Sequence, residues 1–304
     1  MRNYKAVTSS IESRKSVSLI INRIAMPVTL DQIVAATRRR VAAARQAADL
    51  PHLERAAEAR HPRGFRQRLK AAAVTGIAII AELKKASPSR GLIRADFDAG
   101  RLAREFETCG AGALSVLTDQ EFFQGSLPNL QLASTNTTLP CLRKDFIVDE
   151  FQLLEGLAYG ADAVLLIVAA LSQQELVGLA MQSRNYGLDV LCEVHDEEEL
   201  QRAMDAGCNL IGVNSRDLRT FRVDLGTAFR LAERIPNGVL RVAESGIGSG
   251  HDIARLRAAG YQAFLIGESL MKAESPGQAL RTLLEEAKAP VPVSAGNREL
   301  ATDN

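Results

Sequence analysis

IAIIAELKKASPSRG, residues 77–91, decides the fold. It opens as an Ile-rich apolar run shorter than an ordinary helix. It then takes opposite charges at Glu82 and Lys84 and breaks into a Ser-Pro-Ser-Arg-Gly loop. In a strand, residues two apart share a face, so Ile80, Glu82 and Lys84 point the same way. A continuously apolar run belongs to a strand covered on both sides, as in a parallel sheet. Charges entering at its carboxyl end stand where parallel-sheet enzymes keep their chemistry. On spacing alone, a half-exposed strand end with a surface ion pair fits as well.

Working outward, apolar-rich strands start near Ile77, Ala113, Leu139, Ala163, Leu188, Leu210, Val239 and Ala263. Helical patterns with clear punctuation lie between them. Asp149 opens one, followed by Gly160; Ser172 and Glu175 form a capping box, with Gly187 beyond; Asp196 opens another, closed by Gly207. The strings CGAGALSVL, YGADAVLLI, AGCNLIGV and AGYQAFLIG each place a helix-ending Gly a few residues before a strand. Eight strands alternating with eight helices predict an α/β fold, a (β/α)8 barrel. An open doubly wound sheet also alternates but seldom needs eight units.

Ahead of the barrel, residues 29–47 form an amphipathic helix, with a Thr29/Gln32 capping box and Thr37 as the one polar residue in its apolar stripe. A basic, Ala-rich connector follows, with a second short helix near residues 66–73. The last helix spans about residues 275–288. Residues 26–288 are thus expected to form one barrel domain with an amino-terminal helical extension over 29–73, and residues 289–304 a polar tail. Residues 1–25 hold five Lys/Arg, one acidic residue and five Ser. That is a transit-peptide composition. The simpler expectation is a disordered extension, or an upstream start with the natural one at Met26.

Length and composition agree. A chain of 304 residues with 46% hydrophobic and 24% charged residues can bury a sizeable core. A formal charge of +1 argues against bulk attraction to nucleic acid or a membrane surface. The four cysteines, Cys109, Cys141, Cys192 and Cys208, lack metal-ligand spacing and read as reduced structural residues of a cytoplasmic protein. The four histidines form no cluster, so no metal or other cofactor is expected.

Most strands end in something polar: Glu82 and Lys84 on the first, Lys144 and Asp145 on the third, Glu193 on the fifth, Asn214 and Arg216 on the sixth, Glu244 and Ser245 on the seventh, and Gly267-Glu268-Ser269 on the eighth. Charge is costly inside a packed barrel and tolerated at its rim. One such end means little, but five or six describe a convergent site. Parity turns Cys141 and Cys192 away from the faces of Lys144 and Glu193, which argues against cysteine catalysis. The turns Glu244-Ser245-Gly246-Ile247-Gly248 and Ile266-Gly267-Glu268-Ser269 put glycine where backbone N–H groups can approach a phosphate.

The strings AELKKASPSRG, LRKDFIVDEFQ, LCEVHDEEEL, IGVNSRDLRTF, VAESGI and FLIGESLM resemble the indole-3-glycerol phosphate synthase family of tryptophan biosynthesis, in order over about residues 29–288. The resemblance implies an amino-terminal helix over the barrel mouth. It also implies a carboxy-lyase closing the ring of 1-(2-carboxyphenylamino)-1-deoxyribulose 5-phosphate with loss of carbon dioxide and water. Lys144 would be the general acid at the carbonyl oxygen. Lys84 would hold the substrate carboxylate and donate a second proton, and Glu193 would accept a proton as the hydroxyl leaves. Glu82 and Asn214 would orient these groups.

By the same resemblance Ser87, Ser245, Gly246, Gly267 and Glu268 surround the phosphate. An acidic side chain aimed at an anion is repulsive, so Glu268 is expected to turn away. Pro88, Phe146 and Phe122 would hold the anthranilate ring, and Arg216, Glu244 and Leu265 complete the substrate set. Residues 85–95 form a candidate lid. Ser215 stands where the family often has a second Asn. The implied partner is a phosphorylated small molecule, with neither nucleic acid nor membrane. A monomer or weak homo-oligomer is expected, with contact to other tryptophan-pathway enzymes left open. The alternatives are another phosphate-binding barrel enzyme, such as a phosphoribosyl isomerase working through a Cys/Asp or Asp/Asp pair, or a non-catalytic barrel.

Overall fold

The computed structural model describes residues 29–218, 220 and 222–288. The expectations for residues 1–25 and 289–304 lie outside the described residues. Eight strands close into a barrel: β1 (Ala78–Leu83), β2 (Ala113–Leu117), β3 (Cys141–Lys144), β4 (Ala163–Ile167), β5 (Asp189–Val194), β6 (Leu210–Asn214), β7 (Leu240–Glu244) and β8 (Ala263–Ile266). Each pairs in parallel with its sequence neighbours, and β8 returns to β1 with Ala78 opposite Ala263. This is the (β/α)8 architecture expected from the alternation.

Strand parity divides the core in two. Ala78 and Ile80 of β1, Leu142 of β3, Leu191 of β5 and Val242 of β7 fill the barrel interior. Ile79, Leu83, Cys141, Cys192 and Val213 face outward, under the helices. A two-sided apolar environment is what continuous runs such as IAII and AVLLI require.

Among the described residues three helices precede β1: α1 (Leu30–Ala47), α2 (Leu50–Glu58) and α3 (Phe65–Thr75). The capping box at Thr29 and Gln32 starts α1 as expected. Thr37 is buried in the α1 stripe. Helix α2 falls in the stretch expected to be a connector. Asp49 caps it by accepting from the backbone N–H of His52 at 3.0 Å, and Pro51 sits in its first turn. Only Ala57 of α2 is buried, so its apolar stripe is too thin to recognise. Helix α3 puts Phe65 and Leu69 into the interior cluster. The helices after the strands are α4 (Ala99–Thr108), α5 (Leu127–Thr135), α6 (Phe151–Ala158), α7 (Gln173–Asn185), α8 (Glu197–Asp205), α9 (Gly226–Ala232), α10 (Gly250–Ala258), α11 (Glu268–Lys272) and α12 (Pro276–Glu286). Among the described residues no helix is long and apolar enough to cross a membrane.

One carboxylate staples the amino-terminal segment to the strand starts. Asp162, one residue before β4, is fully buried. It accepts from Arg63 Nη2 at 2.6 Å and Nε at 2.9 Å, Arg60 Nη2 at 3.2 Å, the Arg63 amide at 2.8 Å and the Cys141 amide at 2.7 Å. Replacing it leaves two guanidinium groups without their carboxylate. Asp162→Ala is expected to cost about 3–5 kcal/mol in urea unfolding, with the native fold's chemistry at the opposite rim unaffected.

Candidate active site

The carboxyl ends of the strands surround a cavity of about 720 Å³. Glu82, Lys84, Lys144, Glu193, Asn214, Arg216, Glu244, Ser245, Gly246, Leu265, Gly267 and Glu268 all line it, with Ser87, Pro88 and Phe146 from the loops. The residues chosen by strand-end position therefore meet at one mouth. Leu30 and Ile33 line the same cavity, which puts α1 over the opening as expected. Two cross-links hold α1 there. Arg40 Nη2 lies 3.2 Å from Asp119 Oδ2 and 3.2 Å from Asp145 Oδ1, and Asp145 directly follows Lys144.

The charged centre has two lysines among three carboxylates. Lys144 Nζ donates to Glu193 Oε2 at 3.0 Å and lies 3.8 Å from Glu244 Oε2. Lys84 Nζ is 2.5 Å from Glu82 Oε2. Asn214 Nδ2 donates to Glu193 Oε1 at 3.0 Å. Burial works to lower the Lys144 pKa, but Glu193, Glu244 and Glu82 outweigh it and hold the pKa above the ordinary lysine value. Burial would raise Glu193, yet Lys144, His195 and the Asn214 hydrogen bond lower it to about 2. Glu244 goes the other way: burial and the Glu193 charge push it up to about 8, against Lys144. At neutral pH the centre thus holds a charged Lys144, an ionised Glu193 and a Glu244 that favours its proton.

Two glycines make this crowding feasible. A Cβ at Gly212 of β6 would overlap the Glu244 carboxylate, and one at Gly267 the Glu82 carboxylate. On the far side of the mouth, Ser245 and Gly246 have φ of 64° and 78°. A non-glycine residue held left-handed beside a site stores strain that the surrounding fold must support. Ser87 Oγ is buried at the cavity and makes no hydrogen bond.

Two expectations need correction. Glu268 does not turn away from the mouth. The residue lines the cavity, and its carboxylate is matched by cations that line it too: Lys272 Nζ at 2.6 Å, Arg90 Nε at 3.1 Å and Arg216 Nη2 at 3.6 Å. Partial burial works to raise its pKa, but Lys272, Arg90 and Lys84 lower it. Its side chain is thus an anionic latch, and only its backbone suits a phosphate. The second correction concerns the aromatic wall. Phe123 rather than Phe122 lines the cavity, its ring centroid 6.3 Å from that of Phe146. The turn after Asp119, whose Oδ1 accepts from the Phe122 amide at 2.7 Å, decides which of the two adjacent rings faces inward.

The candidate lid is a short hairpin, Ala86–Ser87 paired antiparallel with Gly91–Leu92. Arg94 anchors its far end by donating to the carbonyls of Met271 (3.3 Å) and Ala273 (2.9 Å). Cys141 and Cys192 are fully buried on the outer face, as parity required, and burial pushes the Cys141 thiol up to about 12. Arg40, Asp119, His195 and Arg90 carried no site assignment in the sequence. The signal available was the tight Glu193-Val-His195 spacing at one strand end.

Glu244, ordinarily near 4.5 and held at about 8, binds its proton more tightly folded than unfolded. It contributes stability fully below about pH 4.5, and this is lost as pH rises through about 8. Glu193 acts oppositely, its contribution present above its ordinary 4.5 and lost as pH falls through about 2. Thermal unfolding of Glu244→Gln at mildly acidic and at alkaline pH should show a flatter alkaline loss of stability than the parent. An unchanged slope would mean that Glu244 is ionised throughout.

Comparison with known proteins places the chain in a family. The family profile for indole-3-glycerol phosphate synthase matches residues 30–283. The chain is 58% identical over 259 residues to the indole-3-glycerol phosphate synthase of Koribacter versatilis, covering 85% of this chain and 100% of that one. It is 49% identical over 257 residues to that of Desulfotalea psychrophila (84% and 97% covered) and 46% identical over 252 residues to that of Burkholderia ambifaria (83% and 97%). A solved mandelate oxidase variant superposes with a TM-score of 0.52 at 18% identity, covering 70% of this chain and 72% of that one, a likeness of fold alone.

Proposed function

The chain belongs to the indole-3-glycerol phosphate synthase family, and on that premise we propose how its own residues carry the reaction. It is a carboxy-lyase of tryptophan biosynthesis: the ring of 1-(2-carboxyphenylamino)-1-deoxyribulose 5-phosphate closes with loss of carbon dioxide and water. The single observation that supports the residue roles is the meeting of Lys84, Lys144, Glu82, Glu193 and Glu244 at one mouth.

Substrate enters with its phosphate toward the turns after β7 and β8, where the N–H groups of Ser245, Gly246 and Gly267 are offered with Arg216 and the unsatisfied Ser87 hydroxyl nearby. The anthranilate ring lies by Phe146, Phe123, Pro88 and Leu265. Its carboxylate pairs with Lys84, turning that ammonium from Glu82 toward the ligand.

Lys144 then acts as general acid on the carbonyl oxygen. The pairing with Glu193 keeps this lysine charged despite its burial, so a proton is on hand at neutral pH. As the carbonyl carbon becomes electrophilic, the ring carbon bearing the carboxylate attacks it. The C–CO₂ bond breaks and restores aromaticity. The iminium-like intermediate is itself the electron sink, so the chemistry calls for no metal or other cofactor. Lys84 gives the second proton to the departing hydroxyl, and Glu193, kept ionised, accepts the proton released from the substrate. Asn214 fixes the Glu193 carboxylate through its hydrogen bond.

In this reading the protein works in the cytoplasm as a monomer or weak homo-oligomer on a phosphorylated small molecule, with no nucleic acid or membrane. Incubating the purified protein with the carboxyphenylamino substrate should produce indole absorbance; simple ketose formation would favour an isomerase, and no turnover a non-catalytic barrel. Lys144→Ala is expected to lower kcat by about 10²–10⁴-fold with an unchanged circular dichroism spectrum, whereas near-normal turnover would remove Lys144 from the mechanism.

A further inference from the structure

The reaction has a proton imbalance that the residues above leave open. Substrate enters as a carboxylate and leaves as neutral carbon dioxide, water and ring-closed product, so each turnover consumes one proton. Two protons go onto the former carbonyl oxygen, which leaves as water. One returns from the substrate to Glu193. The lysines therefore finish one proton short. The shortfall arises while ligand fills the mouth and α1 and the lid stand over it, so solvent is poorly placed to supply it.

His195 stands where that proton is needed. It lies just beyond β5, on the same face as Glu193, and its Nε2 is 3.5 Å from Glu193 Oε1. This Nε2 is buried and makes no hydrogen bond. The other ring nitrogen, Nδ1, is 2.9 Å from Glu199 Oε2 on α8, and Glu199 also accepts from the His195 amide at 2.8 Å. The side chains of His195 and Glu199 are 14% and 15% exposed, against 1% for Glu193. The row Glu193–His195–Glu199 thus leads from the reacting centre to the edge of the domain. None of the binding or orienting roles assigned above uses it.

We propose that His195 is the proton reservoir of this site, a positioning residue that acts through Glu193; this rests on the lyase reading above. Before Glu193 takes up the substrate's proton, the imidazolium gives its Nε2 proton to the Glu193 carboxylate at Oε1, and the carboxyl group gives a proton from Oε2 along the 3.0 Å contact to Lys144, which its first donation had left neutral. His195 is left neutral with Nδ1–H donated to Glu199; after product leaves, His195 and Lys84 each regain a proton from water and Glu193 releases the one it took from the substrate. One proton has then moved from solvent to the leaving water, and no other species is consumed. The groups that face the imidazole are Glu193 on β5, Glu199 on α8 and, at longer range, Glu244 on β7. Burial works against the imidazolium, but Glu199, Glu193 and Glu244 outweigh it and raise its pKa above the ordinary histidine value. A histidine so held keeps its charge to higher pH than a free imidazole, and kcat should fall on the alkaline side as it deprotonates.

The test is the pH profile of kcat, with solvent isotope effects, for the parent, His195→Asn and Glu199→Gln. His195→Asn should lower kcat on the order of tenfold or more, leave KM nearly unchanged, and lose the alkaline limb assigned to the imidazolium. Added imidazole should restore part of the rate, and the solvent isotope effect should rise as proton supply becomes limiting. Glu199→Gln should move the alkaline limb to lower pH. A purely structural role predicts lower kcat with the same pH profile and no imidazole rescue, and that result would overturn the proposal. If the parent itself produces no indole, the lyase reading fails first and separately.

Discussion

The contact between Lys144 and Glu193 is the constraint on which the site depends. An ammonium and a carboxylate taken out of water each incur a penalty of several kcal/mol, and only their mutual attraction and further hydrogen bonds offset it. Here the pair is 3.0 Å apart, Asn214 bonds the second Glu193 oxygen, and Glu244 stands 3.8 Å from the lysine. A third ionised carboxylate would unbalance the group, and Glu244 responds by keeping its proton. The consequence is an ammonium that stays charged and a carboxylate that stays ionised side by side, each stabilised by the other. That is the condition for general acid and general base steps on one substrate near neutral pH.

The barrel separates the parts that resist change from the parts that react. At the strand starts, α3 plugs the interior with Phe65 and Leu69, and Asp162 gathers Arg60, Arg63 and the Cys141 amide. At the strand ends the same parallel geometry delivers polar side chains from β1, β3, β5, β6 and β7 to a shared mouth. Helix α1 joins the two regions in sequence yet belongs to the mouth in space. Arg40 reaches the loops after β2 and β3, and Leu30 and Ile33 wall the cavity. Across the opening Arg90 of the hairpin meets Glu268, the anion also matched by Lys272 and Arg216. A substrate phosphate arriving at the neighbouring turns would compete for these same cations, so lid contact and ligand binding draw on one set of charges.

Much of this was legible in the residues because two periodicities carry it. Alternation with period two put Glu82 and Lys84 on one face and turned Cys141 and Cys192 outward, and the helix-ending glycines set the rhythm of the barrel. What escaped had no local signature. Helix α2 buries Ala57 alone, so its stability comes from its cap and its packing rather than from a stripe. Arg40 looked like one of several basic residues on a helix, and its partners are 79 and 105 residues away. Phe122 and Phe123 differ only in which way a turn presents them. Glu268 was expected to avoid the mouth on pairwise repulsion, but three cations from three separate segments reverse that argument. His195 was in view inside LCEVHDEEEL, and only its distances to Glu193 and Glu199 give it meaning.

The most direct measurement is the protonation state of the Lys144 ammonium, followed by nitrogen-15 NMR across pH in the parent and in Glu193→Gln. The account predicts an ammonium still charged above about pH 10, the ordinary lysine value, and a clear fall in that pKa once the Glu193 charge is removed. A lysine that titrates near or below its ordinary value in the parent, or that is indifferent to residue 193, would contradict it.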